Sequence, residues 1–324
     1  MKKMTIFAAF AISAVIGLSA CGSGSKEDQT KDTAASSETA AEVALPTEDR
    51  GGEQIDLPEN VTKIVSLAPS TTQVIEDLGK KDQLIAVDNQ SPMTTEDLEE
   101  LPQFDMMAVD AEKLIALQPE VVYVTNINLV ASDSVWTQVK NAGITVVNIP
   151  TSNSMADIAL DVQFIADTLQ EHEKGKQLVD TMNQEIEEIE AIGSTITDKK
   201  TVLFEISGLP DIYSFGKGVF LNEMIEAVGA ENVLKDETSW IPVTEEAAIA
   251  SKPDVVLTSV NYVPDPVGEI LARENWQTVP AVKNKAVYQI DNATSSLPNH
   301  HITEALKEIA VAVYPDEYKD LADE

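Results

Sequence analysis

An internal repeat constrains the fold of this chain more than any other feature of its sequence. The segments "DAEKLIALQPEVVYVT" (residues 110–125) and "TEEAAIASKPDVVLTS" (residues 244–259) follow one plan, and each half of the chain holds one copy. Each copy begins with a residue that favours a helix N-cap, Asp110 or Thr244. An acidic residue, a helix of about two turns, a proline and an apolar strand follow. The repeat therefore predicts the same helix-and-strand unit twice.

Further strand candidates surround both copies of the repeat. The apolar runs "KIVSLA", "VVNIP", "TVLFEI" and "AVYQI" alternate with helical stretches such as residues 72–78 and 221–228. Apolar strands that are separated by helices are typical of parallel sheets buried on both faces. The sequence therefore predicts an α/β fold with two parallel sheets, each wrapped by helices.

Residues 154–193, between the two halves, carry an almost continuous helical pattern. Apolar side chains recur at helical spacing in one stripe that ends at Leu169, and a second stripe begins after the polar segment "QEHEKGK". We predict a short helix and then a long one, which spans roughly 30 Å and joins two lobes as a stiff strut. A dimerising coiled coil is the alternative, but it needs more heptads than this stretch supplies.

The N-terminal segment predicts where the protein is located. Lys2 and Lys3 precede an apolar run (residues 6–16) that is too short to cross a membrane, and "LSAC" then ends at Cys21. This arrangement resembles a bacterial lipoprotein signal peptide, in which the cysteine becomes the first mature residue and carries the lipid. The alternative is that Cys21, the only cysteine, is a buried thiol. Residues 22–48 are small, polar and charged, which is typical of a disordered tether.

The charge of the chain restricts its partners. Lysine and arginine number 22 against 55 acidic residues, which gives a formal net charge of −33. Nucleic acid and anionic lipid are repelled by such a charge, so we expect no nucleic-acid partner and membrane contact through the lipid anchor only. Arg50 and Arg273 are the only arginines, so a bidentate clamp for phosphates or carboxylates is hard to build. Solubility alone is the other explanation of the acidity.

Several segments together carry a family resemblance that runs from about residue 48 to 317. "DRGGEQIDLPENVTKIVSLAPSTTQVIEDLG", "DAEKLIALQPEVV", "FLNEMIEAVGAENVL" and "VPAVKNKAVYQID" resemble, in order and spacing, the substrate-binding lipoproteins of ABC importers for ferric siderophores, haem and cobalamin. The resemblance implies two Rossmann-like lobes joined by a long bridging helix, with one ligand in the cleft between them. It also implies a monomer without catalytic activity or intrinsic cofactor, whose partner is an ABC permease with its ATPase.

The resemblance and the sequence patterns together define the predicted boundaries and location. The signal peptide and lipid anchor place the protein on the outer face of the cytoplasmic membrane, in a monoderm bacterium. We predict a signal peptide at residues 1–20, a tether at 21–48, an N-terminal lobe at 49–153, bridging helices at 154–197 and a C-terminal lobe at 198–324.

The family docks each lobe on its permease through one surface glutamate. The matching residues are Glu112, seven residues before Pro119, and Glu246, seven residues before Pro253. Both should occupy the second position of a helix, behind the caps of the repeat. The alternative is that these acids only complement the helix dipole, which contributes about 0.3–1 kcal/mol.

The cleft should be lined by loops at the carboxyl ends of the parallel strands, where open α/β sheets bind ligands. Trp240 matches the position of a cleft tryptophan in cobalamin carriers of the family. Met107, in "MAVDAE", resembles the methionine that is an axial iron ligand in the haem carriers. Core packing is the alternative for these side chains. The predicted ligand-binding residues are Ser70, Thr71, Met106, Met107, Tyr213, Trp240, Tyr262, His300 and His301.

The segment "SSLPNHHITEAL" holds two of the three histidines. Pro298 and Asn299 predict a helix start, so His300 and His301 should lie in a first turn that faces the cleft. The positive end of a helix disfavours imidazolium, so we expect a neutral imidazole that ligates iron or cobalt, or accepts a hydrogen bond. The alternative is that both residues only cap the turn.

The predicted cargo is an iron-containing compound, a ferric siderophore or haem, and the possible protein ligands to its iron are Met107, His300 and His301. Cobalamin, another tetrapyrrole, is the alternative cargo. Siderophore carriers often have arginine where this chain has "NHH", which disfavours an anionic tris-catecholate, and Asn261 and Tyr262 replace the histidine of the haem carriers. A metal-dependent hydrolytic lipoprotein that uses "HHITE" is a lesser alternative, because the chain has no G-x-S-x-G or H-E-x-x-H motif.

Overall fold

The computed structural model describes residues 44–131 and 133–321. The predicted signal peptide, Cys21 and most of the predicted tether therefore lie outside the described residues. Glu48 pairs with Gln54 in a short antiparallel bridge, and Asp49 is buried at the predicted start of the N-terminal lobe. None of the described helices is long and apolar enough to cross a membrane.

The N-terminal lobe contains a five-stranded parallel sheet with the strand order β3-β2-β1-β4-β5. This order matches five neighbouring strands of a Rossmann sheet, so the predicted Rossmann-like parallel sheet is confirmed. Its elements are β1 (Ile64–Ser66), α1 (Pro69–Asp77), β2 (Leu84–Asp88), β3 (Gln103–Phe104), α2 (Ala111–Ala116), β4 (Val121–Val124), α3 (Asn126–Ala131), α4 (Asp133–Asn141) and β5 (Thr145–Asn148).

A helical hairpin joins the lobes through α5 (Met155–Thr168) and α6 (His172–Gly193). With 22 residues at 1.5 Å each, α6 is about 33 Å long, which confirms the predicted long helix. The connection between the two helices, residues 169–171, is shorter than the polar segment predicted to separate them. The sequence predicted a strut made by the long helix alone, whereas the structure has two helices packed side by side.

The C-terminal lobe contains a second parallel sheet, with the order β11-β10-β6-β8, which confirms the second predicted sheet. A separate antiparallel pair, β7 and β9, was not predicted, because Pro242 interrupts the strand pattern of β9. The elements are β6 (Thr201–Glu205), β7 (Ile212–Phe215), α7 (Phe220–Ala227), β8 (Glu231–Asn232), β9 (Trp240–Val243), α8 (Glu245–Ser251), β10 (Val255–Thr258), α9 (Pro266–Ala272), α10 (Pro280–Lys283), β11 (Val287–Gln289), α11 (Asn292–Ser296) and α12 (Ile302–Val313).

Both copies of the repeat fold as predicted. In each, the capping side chain accepts a hydrogen bond from the amide of the third helical residue, at 3.0 Å for Asp110 and 3.2 Å for Thr244. The strands that follow, β4 and β10, are fully buried and occupy interior positions of their sheets. The capped helix, the proline and the apolar strand therefore form one unit that occurs in each lobe.

Both helices of the hairpin contact both lobes. At the C-terminal lobe, the Met155 amide at the start of α5 donates a hydrogen bond to Glu223 of α7 at 2.8 Å. At the N-terminal lobe, Lys174 in the first turn of α6 donates to the Leu78 carbonyl oxygen at 2.8 Å. Because the two helices start at opposite lobes, each one runs the whole distance between them.

One apolar core extends through both lobes and the hairpin. It includes Ile64 of β1, Ile158 of α5, Met182 of α6, Phe204 of β6 and Leu306 of α12, which are all almost completely buried. The outer faces of the two sheets carry smaller cores, beneath α2 and α4 in one lobe and beneath α8 to α10 in the other. Both sheets are thus buried on both faces, as their apolar strands indicate.

The end of α6 gives a test of how tightly the hairpin is joined to the C-terminal lobe. Alanine is ordinarily more favourable than glycine in a helix by about 0.5–1 kcal/mol. A Cβ atom on Gly193, however, would collide with the Ala227 carbonyl oxygen and lie 2.8 Å from the Gly229 nitrogen. We therefore expect Gly193→Ala to lower the free energy of unfolding, measured with urea, by about 1–3 kcal/mol.

The control is Glu187→Ala on the exposed side of the same helix, which should change the free energy of unfolding by less than about 0.5 kcal/mol. A Gly193→Ala protein that is more stable than the wild type would show that the helix end does not pack closely against the lobe.

Candidate ligand-binding cleft

Loops from both lobes enclose a cavity of 700 Å³ in the cleft. This volume lies within the usual range of about 300–1,000 Å³ for small-molecule sites. The N-terminal lobe contributes Pro69, Gln90, Met93, Thr94 and Met106, and the C-terminal lobe contributes Asn261, Gln289, Asp291, Asn292, Ala293, Leu297 and Glu308.

A smaller cavity of 190 Å³ adjoins the larger one and shares Pro69 and Met106 with it. Its floor is formed by α5, through Asp161, Val162 and Ile165. The remaining walls come from the start of α1, from the loops after β4 and β5, and from Ser296 and Pro298 of the C-terminal lobe. The hairpin that joins the lobes therefore also forms the base of the cleft.

Buried polar side chains hold the N-terminal loops in place around these cavities. Thr72 Oγ1 lies 2.8 Å from both Ser66 Oγ and Ser91 Oγ, and Ser91 is in turn hydrogen-bonded to Asp88. This network joins the end of β1, the first turn of α1 and the loop after β2. Buried hydroxyl groups with satisfied hydrogen bonds fix the relative positions of the segments that carry them.

Side-chain amides fix the C-terminal loops in a similar way. Asn292 Nδ2 donates to the Ser259 carbonyl oxygen at 2.8 Å, and Gln289 Nε2 donates to the Val260 carbonyl oxygen at 3.1 Å. These bonds join the loop after β10 to the end of the neighbouring parallel strand β11 and to the start of α11. The amide oxygens of Asn292 and Gln289 make no hydrogen bond within the described part of the chain, so they can accept one from a ligand.

The described lining of the cleft carries acidic side chains. Among the described residues, no lysine or arginine lines either cavity. Asp161 is buried and pairs with Arg50 Nε at 2.5 Å and with the Ser152 hydroxyl at 2.7 Å. Burial raises the pKa of Asp161, and partial desolvation, with the nearby carboxylates of Asp291 and Glu304, raises the pKa of Glu308 in the larger cavity. A neutral or cationic ligand suits such a lining better than an anion does.

The structure brings together only some of the predicted ligand-binding residues. Ser70 and Thr71, in the first turn of α1, line the smaller cavity, and Met106 lines both cavities. Met107 is 60% exposed and lines neither of them. The chain turns at Asp105, whose carboxylate accepts a hydrogen bond from the Met107 amide at 2.8 Å.

The three predicted aromatic residues also lie outside the lining of both cavities. Trp240 is half-buried and packs edge to face against Phe215, with 5.9 Å between the ring centroids. Tyr262 is 64% exposed, and its hydroxyl accepts a hydrogen bond from the Gly208 amide at 3.1 Å. Tyr213 is partly exposed on β7. The antiparallel pair and the exposed loops hold these rings away from the cavities.

His300 and His301 contact the N-terminal lobe and do not line either cavity. Their Nε2 atoms lie 3.0 Å and 2.9 Å from Asp77 Oδ2, at the end of α1. The hydrogen bond to Asp77, with a second one to Glu304, raises the pKa of His301 to about 9. The structure therefore places both rings against α1 rather than in the lining of the cavities, and the two carboxylates oppose the effect of the helix dipole on His301. The predicted contact with a ligand stays a prediction.

Several residues that line the cavities were not predicted by sequence reasoning. Gln289 lies at the carboxyl end of a predicted strand and Asn292 follows that strand, so the rule about carboxyl ends of parallel strands could have identified them. Asp161 lies on α5, which sequence analysis treated as a connector only. Glu308 lies inside α12, and nothing in the sequence distinguishes it from other exposed helical acids.

The two candidate docking glutamates occupy equivalent positions on the surface. Glu112 and Glu246 are the second residues of α2 and α8, as predicted from the repeat. Both are exposed, and neither forms an ion pair or side-chain hydrogen bond with residues 44–131 or 133–321. Both carboxylates are therefore available to a basic partner surface.

Comparisons with known proteins agree with this architecture. The family model described as "Periplasmic binding protein" matches residues 64–294. The chain is 30% identical to YvrC, an ABC transporter substrate-binding lipoprotein of Bacillus subtilis, over 98% of this chain and 99% of that relative. It is 26% identical to a vitamin B12-binding protein of Vibrio parahaemolyticus, over 78% and 89% of the two chains.

A solved structure with a similar fold is that of a possible iron-binding, periplasmic solute-binding protein from Staphylococcus epidermidis. The two structures superpose with a TM-score of 0.70 and 26% sequence identity, covering 79% of this chain and 100% of that one.

Proposed function

Because this chain belongs to the periplasmic binding protein family, we propose that it captures a metal-containing small molecule in the cleft between its lobes. It then delivers this cargo to an ABC permease with its ATPase, as a monomer and without catalysing a reaction. The relatives described above are substrate-binding proteins, which supports a binding role.

The cargo that suits the cleft best is a corrinoid of the cobalamin class. This choice rests on the lining of the larger cavity, where the described residues present the amides of Gln90, Asn261, Gln289 and Asn292 and no basic side chain. Corrinoids carry primary amide groups around the edge of their ring, and amides pair well with amides. The similarity to a vitamin B12-binding protein supports the same choice.

An iron complex is the second candidate cargo. The similarity to the possible iron-binding protein of Staphylococcus epidermidis favours it, and the Met106 thioether is available in both cavities. Two observations weigh against haem and anionic ferric siderophores. The histidines that could ligate haem iron are bound to Asp77. Among residues 44–131 and 133–321, no basic side chain lines either cavity to pair with carboxylates or catecholates.

Two adjacent methionines allow a matched test of the cleft. Lysine at position 106 would place a long charged side chain in the binding space, whereas lysine at position 107 would lie outside it. With cyanocobalamin as the probe, we expect Met106→Lys to weaken binding at least tenfold, about 1.4 kcal/mol. Met107→Lys should stay within about twofold of the wild type. Isothermal titration calorimetry measures both.

Parallel titrations with haemin and a neutral ferric hydroxamate distinguish the candidate cargoes. Binding of either iron compound, together with no binding of cyanocobalamin, would reject the corrinoid. If the wild type shows a haem absorption band that Met107→Lys lacks, the result would support the predicted role of Met107 as an iron ligand.

We propose that Glu112 and Glu246 dock the two lobes on basic pockets of the permease. Since both are exposed and neither lines a cavity of the cleft, Glu112→Ala with Glu246→Ala should abolish uptake in cells. The affinity of the purified protein for its cargo should not change. The control removes two exposed glutamates from α6, Glu173→Ala with Glu187→Ala, and should transport normally. Normal uptake by the first pair would show that these carboxylates do not dock.

The proposed location is the outer face of the cytoplasmic membrane, with Cys21 as the lipid-bearing residue. The "LSAC" sequence and the similarity to a lipoprotein over nearly the whole chain support this assignment. Cys21→Ala should release the protein from the membrane fraction into the medium. Membrane retention of that variant, with no lipid found on the mature N-terminus by mass spectrometry, would contradict the assignment.

A further inference from the structure

Asp77, His300 and His301 form a compact cluster, here called the interlobe cluster. Asp77 ends α1 in the N-terminal lobe, and the two histidines lie in the turn before α12 in the C-terminal lobe. Their potential ligand atoms all lie within 4.8 Å of one another. The cluster is separate from the cleft, because none of its three residues lines either cavity.

The donor atoms of the cluster converge on one point. The Nε2 atoms of His300 and His301 lie 3.0 Å and 2.9 Å from the same oxygen, Asp77 Oδ2. The two rings are tilted by 34°, with 4.3 Å between their centroids. Two imidazole nitrogens and one carboxylate oxygen are a common donor set for Zn²⁺ and similar divalent ions. A tetrahedral zinc site needs ligand atoms about 3.3 Å apart, so a small expansion would admit the ion.

The surroundings orient the histidines as metal sites require. His301 Nδ1 lies 3.0 Å from Glu304 Oε1, which resembles the carboxylate–histidine–metal arrangement that fixes ring orientation and leaves Nε2 for the ion. His300 Nδ1 is buried and has no hydrogen-bond partner among the described residues, so the polar contacts of this ring are made through Nε2. Both rings therefore direct their Nε2 atoms toward Asp77.

We propose that Asp77, His300 and His301 bind a divalent transition-metal ion of the Zn²⁺ class between the two lobes, with water at the fourth position. Because the ligands come from both lobes, the ion joins the end of α1 to the start of α12. Asn299 already makes a direct link beside it, since its Nδ2 donates to Gln73 Oε1 of α1 at 2.6 Å. The ion therefore strengthens an existing contact between the lobes, and its site is distinct from the site of the cargo.

The net charge of the protein favours a cation at this position. The formal net charge is −33, and Glu304 adds a carboxylate next to the cluster. A strongly acidic protein raises the local concentration of cations at its surface. The competing explanation is that hydrogen bonds through protons alone hold Asp77 against the two rings. Titration with Zn²⁺ distinguishes a metal site from such a hydrogen-bonded contact.

The test uses the full mature chain, stripped with a chelator and titrated with Zn²⁺ by calorimetry in the absence of any cleft ligand. We expect one saturable site per chain with a dissociation constant in the micromolar range or below, and an increase in the melting temperature on adding Zn²⁺. Asp77→Asn keeps the shape of the side chain but replaces the carboxylate with a neutral amide, and His301→Asn removes the imidazole ring together with its Nε2 ligand atom. Each should weaken Zn²⁺ binding at least tenfold and remove the thermal shift.

His172→Asn is the matched control, because His172 also pairs with a carboxylate, Asp167 at 2.7 Å, but stands outside the cluster. It should bind Zn²⁺ as the wild type does. Met106→Lys should also keep Zn²⁺ binding, so cargo binding and Zn²⁺ binding can be lost independently of each other. X-ray absorption of the zinc-loaded protein should show two imidazole ligands.

Three results would overturn the proposal. They are the absence of a saturable site, equal Zn²⁺ affinity in the wild type and Asp77→Asn, and an absorption spectrum without imidazole ligands. The first of these would leave the cluster as a contact held by protons and hydrogen bonds alone.

Discussion

The apolar contact between the α5–α6 hairpin and the inner faces of both sheets is the interaction on which the rest of the structure depends. Ile158 and Met182 of the hairpin share one core with β1 of the first sheet and β6 of the second. Each such side chain contributes about 1.5–3 kcal/mol when it is fully buried. The same hairpin forms the floor of the cleft through Val162 and Ile165. The packing that joins the lobes therefore also fixes the shape of the binding space.

The arginines show how a strongly acidic chain keeps its cleft free of fixed positive charge. Arg50 pairs with Asp161 beneath the smaller cavity, and Arg273 is buried against Glu205 and Glu269 at 2.7 Å from each. These are the only two arginines in the sequence, and both are used to neutralise buried carboxylates. A bidentate clamp for an anionic cargo is therefore not available from arginine, which agrees with the amide-rich lining of the larger cavity.

Local patterns predicted most of the fold, whereas contacts between distant residues decided the site. Short segments of sequence predicted the helix caps Asp110 and Thr244 and the apolar strands β4 and β10. Hydrogen bonding and burial at these positions depend on neighbours in sequence. The pairing of His301 with Asp77 joins residues 224 positions apart, and no local pattern encodes it. Met106 and Met107 are adjacent in sequence, but at the turn beside Asp105 Met106 lines the cleft and Met107 is exposed.

The shared core also has a consequence for how a bound molecule could leave. Rotating the two lobes apart would expose Val162 and Ile165, which are at most 2% exposed, at a cost of about 25 cal/mol for each Å² of apolar surface. The loop that carries Met106 and the start of α11 at Asn292 are partly exposed, and shifting them would leave the hairpin packed. A bound molecule can therefore leave at lower free-energy cost through a local displacement of the segments around Met106 and Asn292, because Val162 and Ile165 then stay shielded from water.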